Sequence, residues 1–259
     1  MNIERPVYLQ RLKDRMHNGM IKIITGLRRS GKSYLLFELF RQYLIGDGVE
    51  PDRIIGLELD RRSNEKYRDP DLLLEYLSGK MHSGGMHYIL LDEIQMVKDF
   101  ESVLNELLHY RNTDVYVTGS NSRFLSSDVI TEFRGRGDEI RIHPLSFAEF
   151  CSAFPGTREE AWQEYFTYGG LPQILSMKND EQKAGYLKNL FDMTYLKDIR
   201  ERFKIRHEGE MGELLDVLAS AAGSLTNPLK LANTFQSKRG TAFPESRIAR
   251  YCKIGRAHV

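Results

Sequence analysis

Gly26-Leu27-Arg28-Arg29-Ser30-Gly31-Lys32-Ser33 is the stretch on which the reading of this chain turns. It satisfies the pattern G-x-x-x-x-G-K-[ST]. An apolar run from Met20 to Thr25 precedes it and reads as a strand, and a helical pattern follows from Lys32 to about Leu44. Strand, glycine loop and helix in that order are the context that gives the match its meaning. Glycines let backbone N–H groups curl around phosphates, and the helix N-terminus adds a favourable dipole. Gly26, Arg29, Ser30, Gly31, Lys32, Ser33 and Tyr34 are therefore expected to surround the phosphates of ATP. Lys32 is expected to reach the β- and γ-phosphates and to take part in catalysis, while the Ser33 hydroxyl is expected to ligate Mg²⁺.

A second signal agrees with the first. Tyr88-Ile89-Leu90-Leu91 is an apolar strand that ends in Asp92-Glu93. It delivers carboxylates to the carboxyl edge of the sheet, where ligands bind in open α/β folds. Asp92 is expected to support Mg²⁺, and Glu93 to orient or deprotonate the attacking water. Taken alone, the same carboxylates suit the start of a following helix. A third strand-like run, Val115 to Thr118, ends in Gly119-Ser120-Asn121-Ser122. Asn121, with Ser120 second, is expected to touch the γ-phosphate or the water; a plain polar turn is the competing reading. Finally, Arg134-Gly135-Arg136-Gly137 places arginine after that strand. Arginine suits the charge that develops on a transferring phosphoryl group. Arg136 is the candidate catalytic arginine, and its own nucleotide, a neighbour's nucleotide and solvent all remain open as what it faces.

Around these motifs the first 150 residues alternate between apolar runs and helical patterns, which predicts a parallel sheet covered by helices on both faces. Further strands are expected at Arg53 to Leu59 and Glu139 to Ile142, and helices at Asp71 to about Met81 and Phe100 to Tyr110. After Pro144 helices dominate: Phe147 to Phe154, Arg158 to Tyr168, Gln182 to Arg206 and Glu210 to Ala222. The segment Asn227 to Lys253 reads as two short helices around a Gly240–Pro244 turn, compatible with a helix-turn-helix or winged helix.

Composition narrows the class. At 259 residues, with 41% apolar and 28% charged residues, the chain has ordinary globular composition. No run of eighteen apolar residues occurs, so no membrane span is expected. Two cysteines, Cys151 and Cys252, form neither a metal spacing nor a disulfide framework, which points to a cytoplasmic setting. The formal charge of +1 hides an asymmetry: from Asn227 onward there are seven basic residues and one acidic. The remaining 30 basic and 35 acidic residues leave the body at −5. A basic end on an acidic body suits DNA, with a solvated helix face as the plain alternative.

Taken together, GLRRSGKS, LLDEIQ, TGSNS, RGRGDEIRIHPLSFAEF and YGGLP resemble the AAA-type P-loop ATPases of bacteria and archaea over roughly residues 1 to 200. That resemblance implies that the strand ending at Thr118 lies between the P-loop strand and the Asp92 strand. It also implies that Gly170-Leu171-Pro172 lies against the adenine, so that Pro172 binds the nucleotide and links it to the following helices; a rigid turn is the alternative. Related proteins continue into a winged helix and a further nuclease-like domain.

The resulting expectation is an α/β P-loop NTPase with a parallel sheet flanked by helices, followed by a helical part and a partial winged helix. Its divisions are a core at 1–145, a helical part at 146–224, a partial winged helix at 225–253 and a non-native tail at 254–259. Ile254-Gly-Arg-Ala-His-Val259 is also the translation of a widely used sequencing adapter, and a helix from Pro244 is expected to break at Gly255. Without Arg256 the formal net charge is zero and the basic end is +5. The expected function is an ATP-binding, ATP-hydrolysing switch that uses ATP and Mg²⁺ and is open to homo-oligomerisation. The alternative is a nucleotide-dependent DNA-binding regulator without appreciable turnover. A phosphotransferase would need an acceptor site, for which no signature is visible.

Overall fold

The strands form where the apolar runs lie. The computed structural model describes residues 3–82, 84–119, 135–192, 208–221, 224–239 and 244–256. Among these, β1 (Ile21–Gly26), β2 (Ile54–Glu58), β3 (His87–Asp92), β4 (Thr113–Thr118) and β5 (Gly137–Ile142) make one sheet in the order β2-β3-β4-β1-β5. Every pairing is parallel. β4 lies between β1 and β3, as the family resemblance implied.

Alternation along each strand splits the core into two layers, because successive side chains leave opposite faces of a sheet. On one face Ile21, Ile23, Ile55, Leu57, Ile89, Leu91, Val115 and Val117 meet Leu73 and Leu77 of α3 (Pro70–Lys80) and Phe100, Val103 and Leu104 of α4 (Phe100–Leu107). On the other, Ile24, Ile54, Tyr88, Leu90 and Tyr116 meet two helices. The first is α1 (Pro6–Lys13), which contributes Tyr8 and Leu12. The second, α2, is one continuous helix over residues 32–46 whose middle section, Leu35–Phe40, is π-helical. With both faces covered, strands read as unbroken apolar runs.

No strong local pattern predicts α1. Its eight residues carry apolar side chains four apart, Tyr8 and Leu12, within a charged stretch. So short a helix is held by packing, not by its own propensity. β5 starts two residues before the expected Glu139, because Gly137 and Asp138 pair with Ile21 and Lys22 of β1. Gly26 is required where β1 meets β5: a Cβ there would stand 2.1 Å from the Ile142 carbonyl oxygen.

Beyond the sheet, α5 (Phe147–Ala153) and α6 (Arg158–Tyr168) both start in capping boxes, Ser146 with Glu149 and Thr157 with Glu160. A 3₁₀ turn at Pro172–Ser176 follows, then α7 (Asp180–Leu190). Ile3, Leu145, Phe150, Ala161 and Ile174 form the apolar cluster of this part. The chain divides into two compact units, Met1–Leu187 and Lys188–Val259. In the second, α8 (Glu208–Ser220), α9 (Pro228–Arg239) and α10 (Glu245–Arg256) bury Met211, Leu214, Leu231, Phe235, Ile248 and Tyr251.

α9 and α10 flank the expected Gly240–Pro244 turn, and residues 240–243 of that turn lie outside the described residues. α10 runs through Gly255 to Arg256, past the break expected there. The last part of the expected Gln182–Arg206 helix also lies outside the described residues, and its start moves to Asp180. Among the described residues no helix is long and apolar enough to cross a membrane.

Candidate nucleotide site

At the carboxyl edge of the sheet β1 runs into the glycine loop and β3 into its two carboxylates. The loop is a chain of unusual backbone conformations: Gly26 at φ 139°, Arg29 at φ 64° and Gly31 at φ 96°. From Arg29 to Gly31 left-handed residues flank an ordinary one, the kind of backbone alternation that forms anion-binding concavities. Gly31 is also the N-cap of α2, so the helix terminus faces the same place.

Lys32 is 5% exposed, and its ammonium donates to the loop's own carbonyls, Gly26 at 3.0 Å and Leu27 at 2.9 Å. Burial lowers its pKa from 10.5 to about 8, opposed by the nearby Glu93 and Asp92 carboxylates. A phosphate facing this ammonium would replace solvation that the fold has removed. Ser30 is fully buried, and its hydroxyl lacks a partner among the described residues.

Asp92 is 3% exposed and hydrogen-bonds the hydroxyls of Ser33 and Thr118. Burial pushes its carboxyl above the usual range, while those two hydrogen bonds act against the rise. A buried carboxylate beside a serine hydroxyl is a hard-oxygen donor set suited to Mg²⁺, which takes one or two protein oxygens and completes its shell with phosphate and water. Among the described residues no cluster of three or more His, Cys, Asp or Glu offers a metal a fuller protein cage. The residues present therefore fit a phosphate-bound Mg²⁺.

Glu93 sits in the left-handed region at φ 53°. Its backbone N–H donates to Thr118 Oγ1 at 3.1 Å, and its carboxylate accepts from the Gln95 amide. Thr118 thus touches both carboxylate residues, a role the sequence reading missed. The signal lay in the strand order: with β4 beside β3, Leu91 pairs with Val117, so Asp92 and Thr118 end adjacent strands side by side.

Pro172 reaches the loop from the other side. An apolar cavity of about 260 Å³ is lined by Ile3, Arg5, Gly31, Tyr34, Leu145 and Pro172, among others. A Cβ on Gly31 would lie 3.9 Å from Pro172 Cγ. The turn before Pro172 is fixed to the segment after β5: Leu145 N–H donates to the Gly170 carbonyl at 2.7 Å. A Cβ on Gly170 would stand 2.1 Å from the Leu145 oxygen, so glycine is needed there. Tyr34 Oη accepts from the Ile3 N–H at 3.3 Å, and the Arg29 guanidinium lies over the Tyr186 ring at 5.5 Å.

Gly26, Arg29, Ser30, Gly31, Lys32, Ser33, Tyr34, Asp92, Glu93 and Pro172 are thus gathered at one edge. Asn121 and Ser120 lie outside the described residues. Arg136 is not brought to this edge. It precedes Gly137, which pairs with Ile21 at the amino end of β1, and it donates to Asn105 Oδ1 at 3.1 Å. Five strand residues, roughly 17 Å, separate that end from Gly26.

Residues 18–151 match the AAA domain family. The chain belongs to that family. AAA domains are nucleotide-binding, ATPase-type modules, and the arrangement of this AAA domain's loop and carboxylates accords with that. Residues 159–248 match a second family, a domain of unknown function (DUF8612). An uncharacterized protein of Haemophilus influenzae is 35% identical over 243 residues, covering 92% of this chain and 60% of that protein. The protein MJ1544 of Methanocaldococcus jannaschii is 28% identical over 229 residues, covering 82% and 49% respectively. The chain therefore spans between about half and three-fifths of the length of these relatives. Among solved structures, the Aeropyrum pernix Orc1 protein in complex with DNA is similar at a TM-score of 0.45 and 12% identity, over 99% of this chain and 84% of that one.

Proposed function

We propose that this AAA domain protein binds ATP with Mg²⁺ and hydrolyses it as a switch. The observation that carries the reading is the convergence of Lys32, the Ser33–Asp92–Thr118 hydrogen-bonded group and Glu93 at one sheet edge. Phosphoryl transfer needs little covalent chemistry from a protein; positioning and charge stabilisation supply the rate. In this reading the loop N–H groups and Lys32 hold the β- and γ-phosphates. Ser33 and Asp92 hold Mg²⁺, which when bound neutralises charge on the phosphate oxygens. Glu93 accepts a proton from water, or orients that water, on the γ-phosphate side. The adenine occupies the apolar cavity beside Pro172, whose turn passes the nucleotide state to the following helices. Phosphate release with Mg²⁺ and with a chelator tests the reading; no release above background with Mg²⁺ overturns hydrolysis.

Arg136 enters this proposal only in trans, because its position at the amino end of the sheet separates it from its own loop. Arg136→Ala is expected to lower kcat on the order of 10³-fold and leave nucleotide affinity near wild type. Mixing it with Lys32→Ala should restore part of the activity in an oligomer. No restoration in steady-state turnover would remove the trans role.

A nucleotide-dependent DNA-binding regulator is the second reading, favoured by the net +5 of residues 227–253. Lys230 and Arg250 are exposed on α9 and α10, as a phosphate-contacting face requires. The winged-helix assignment of residues 225–253, the cytoplasmic setting and homo-oligomerisation belong to the same set of proposals. Duplex DNA is expected to bind weakly, with affinity falling steeply between low and physiological salt. Fluorescence anisotropy that detects no binding, or a salt-independent one, would leave this face merely solvated.

A further inference from the structure

Arg5 belongs to none of the motifs, yet it lines the cavity beside Pro172 and is only 2% exposed. Its guanidinium ties together parts of the first unit that are far apart in sequence. Nη1 donates to the Ser30 carbonyl at 2.8 Å, and Nη2 donates to the His143 carbonyl at 2.8 Å. Nε donates to Glu149 Oε1 at 3.2 Å, and the group stacks over the Tyr8 ring at 4.4 Å. Nη1 would also be 3.6 Å from a Cβ on Gly31. Most of its five N–H donors are spent on protein acceptors, which leaves little capacity for recognising a ligand directly.

The Ser30 carbonyl is where this matters. In a trans peptide the C=O of one residue and the N–H of the next point in opposite directions. A Ser30 carbonyl held on the Arg5 side therefore turns the Gly31 N–H away from Arg5. Arg29 and Gly31, on either side of Ser30, both have positive φ. A peptide next to a glycine flips readily, because glycine accepts either sign of φ. The flipped peptide would present a carbonyl oxygen, not an N–H, to a phosphate. Something outside the loop has to select between the two orientations, and the guanidinium is placed to do it.

We propose that Arg5 is a positioning residue that locks the Ser30–Gly31 peptide with its N–H toward the bound phosphates, using Glu149 and the His143 carbonyl as anchors. This rests on the reading of the loop as a phosphate site. Arg5 also lines the cavity beside Pro172, so two bases are compared: a lock on the phosphate side weakens both equally, a contact with the base weakens one.

The test is calorimetric titration of the whole chain with Mg²⁺-ATP and Mg²⁺-GTP. Lysine keeps the charge but cannot span three acceptors. Arg5→Lys is therefore expected to weaken both nucleotides by the same factor, on the order of ten-fold. Val103→Ala in α4, a core variant outside the loop, serves as the control for general destabilisation and is expected to keep wild-type affinity. If Arg5→Lys does not fold, the double variant Arg5→Met/Glu149→Leu leaves no unpaired buried charge and is expected to show the same loss. Wild-type affinity in the Arg5 variant overturns the proposal. So does a loss confined to one base, or an equal loss in Val103→Ala. A wild-type chain that binds neither nucleotide removes the phosphate-site reading itself; a wild-type chain that binds beside an unaffected Arg5 variant removes only the lock.

Discussion

Glu93→Gln is expected to bind ATP as the wild type does and to lose turnover by a factor on the order of 10²–10⁴. The substitution is nearly isosteric, the tie to Thr118 runs through the backbone N–H, and the remaining amide oxygen can still accept from Gln95. What disappears is a basic oxygen. The competing explanation, a carboxylate that merely caps the 3₁₀ turn Ile94–Met96, finds no support in the geometry: the Glu93 side chain makes no capping hydrogen bond there. The residue is instead held at φ 53°, in a conformation that costs a non-glycine residue of order 1–3 kcal/mol. A cap would not need that strain, whereas a side chain aimed at a ligand can repay it. Single-turnover phosphate release beside calorimetric binding decides the matter. Hydrolysis at the wild-type rate would leave Glu93 as a structural residue.

Lys32→Ala is expected to separate affinity from stability. A hydrogen bond to a charged group contributes about 1.5–3 kcal/mol, so ATP affinity should fall roughly 10- to 150-fold. Stability should move little, because two effects oppose each other. Lowering the pKa from 10.5 to about 8 means that burying this ammonium costs on the order of 3 kcal/mol. Alanine relieves that cost but leaves the Gly26 and Leu27 carbonyls without their donor, at about 1–3 kcal/mol each. The expected result is a melting temperature within several degrees of wild type with sharply weaker calorimetric binding. Unchanged binding would sink the assignment of the loop as the phosphate site.

The sign of the Lys32 shift explains why its affinity effect is expected to be large. Desolvation disfavours the ammonium, so an anionic phosphate beside it would supply stabilisation that burial has removed. A lysine on the protein surface would have water to exchange for the phosphate and would contribute less.

Much of the architecture was legible locally. Apolar runs ended by glycine or an acidic residue located β1 to β4, since a strand covered on both faces has little polar alternation to obscure it, whereas β5 alternates, with Glu139 and Arg141 exposed and Ile140 and Ile142 buried. The loop and Asp92-Glu93 were legible for the same reason: adjacent residues at a strand end are adjacent in space. β5 was shortened and α1 was missed because pairing with Ile21 and packing of Tyr8 and Leu12 create those elements, and neither leaves a strong local pattern.

The sequence by itself determined that a phosphate loop opens α2 and that two carboxylates close β3, because each motif is carried by one strand and the turn that follows it. Only the tertiary structure decided that Thr118 joins Asp92 to Glu93, 26 and 25 residues apart in the chain. It alone placed Arg136 at the opposite edge from its own loop, a consequence of the parallel register of β5 on β1. It alone brought Arg5 to Ser30 and Glu149, across 25 and 144 residues. Strand order, register and long-range contact depend on how two packed layers close over one sheet, and no window of neighbouring residues encodes them.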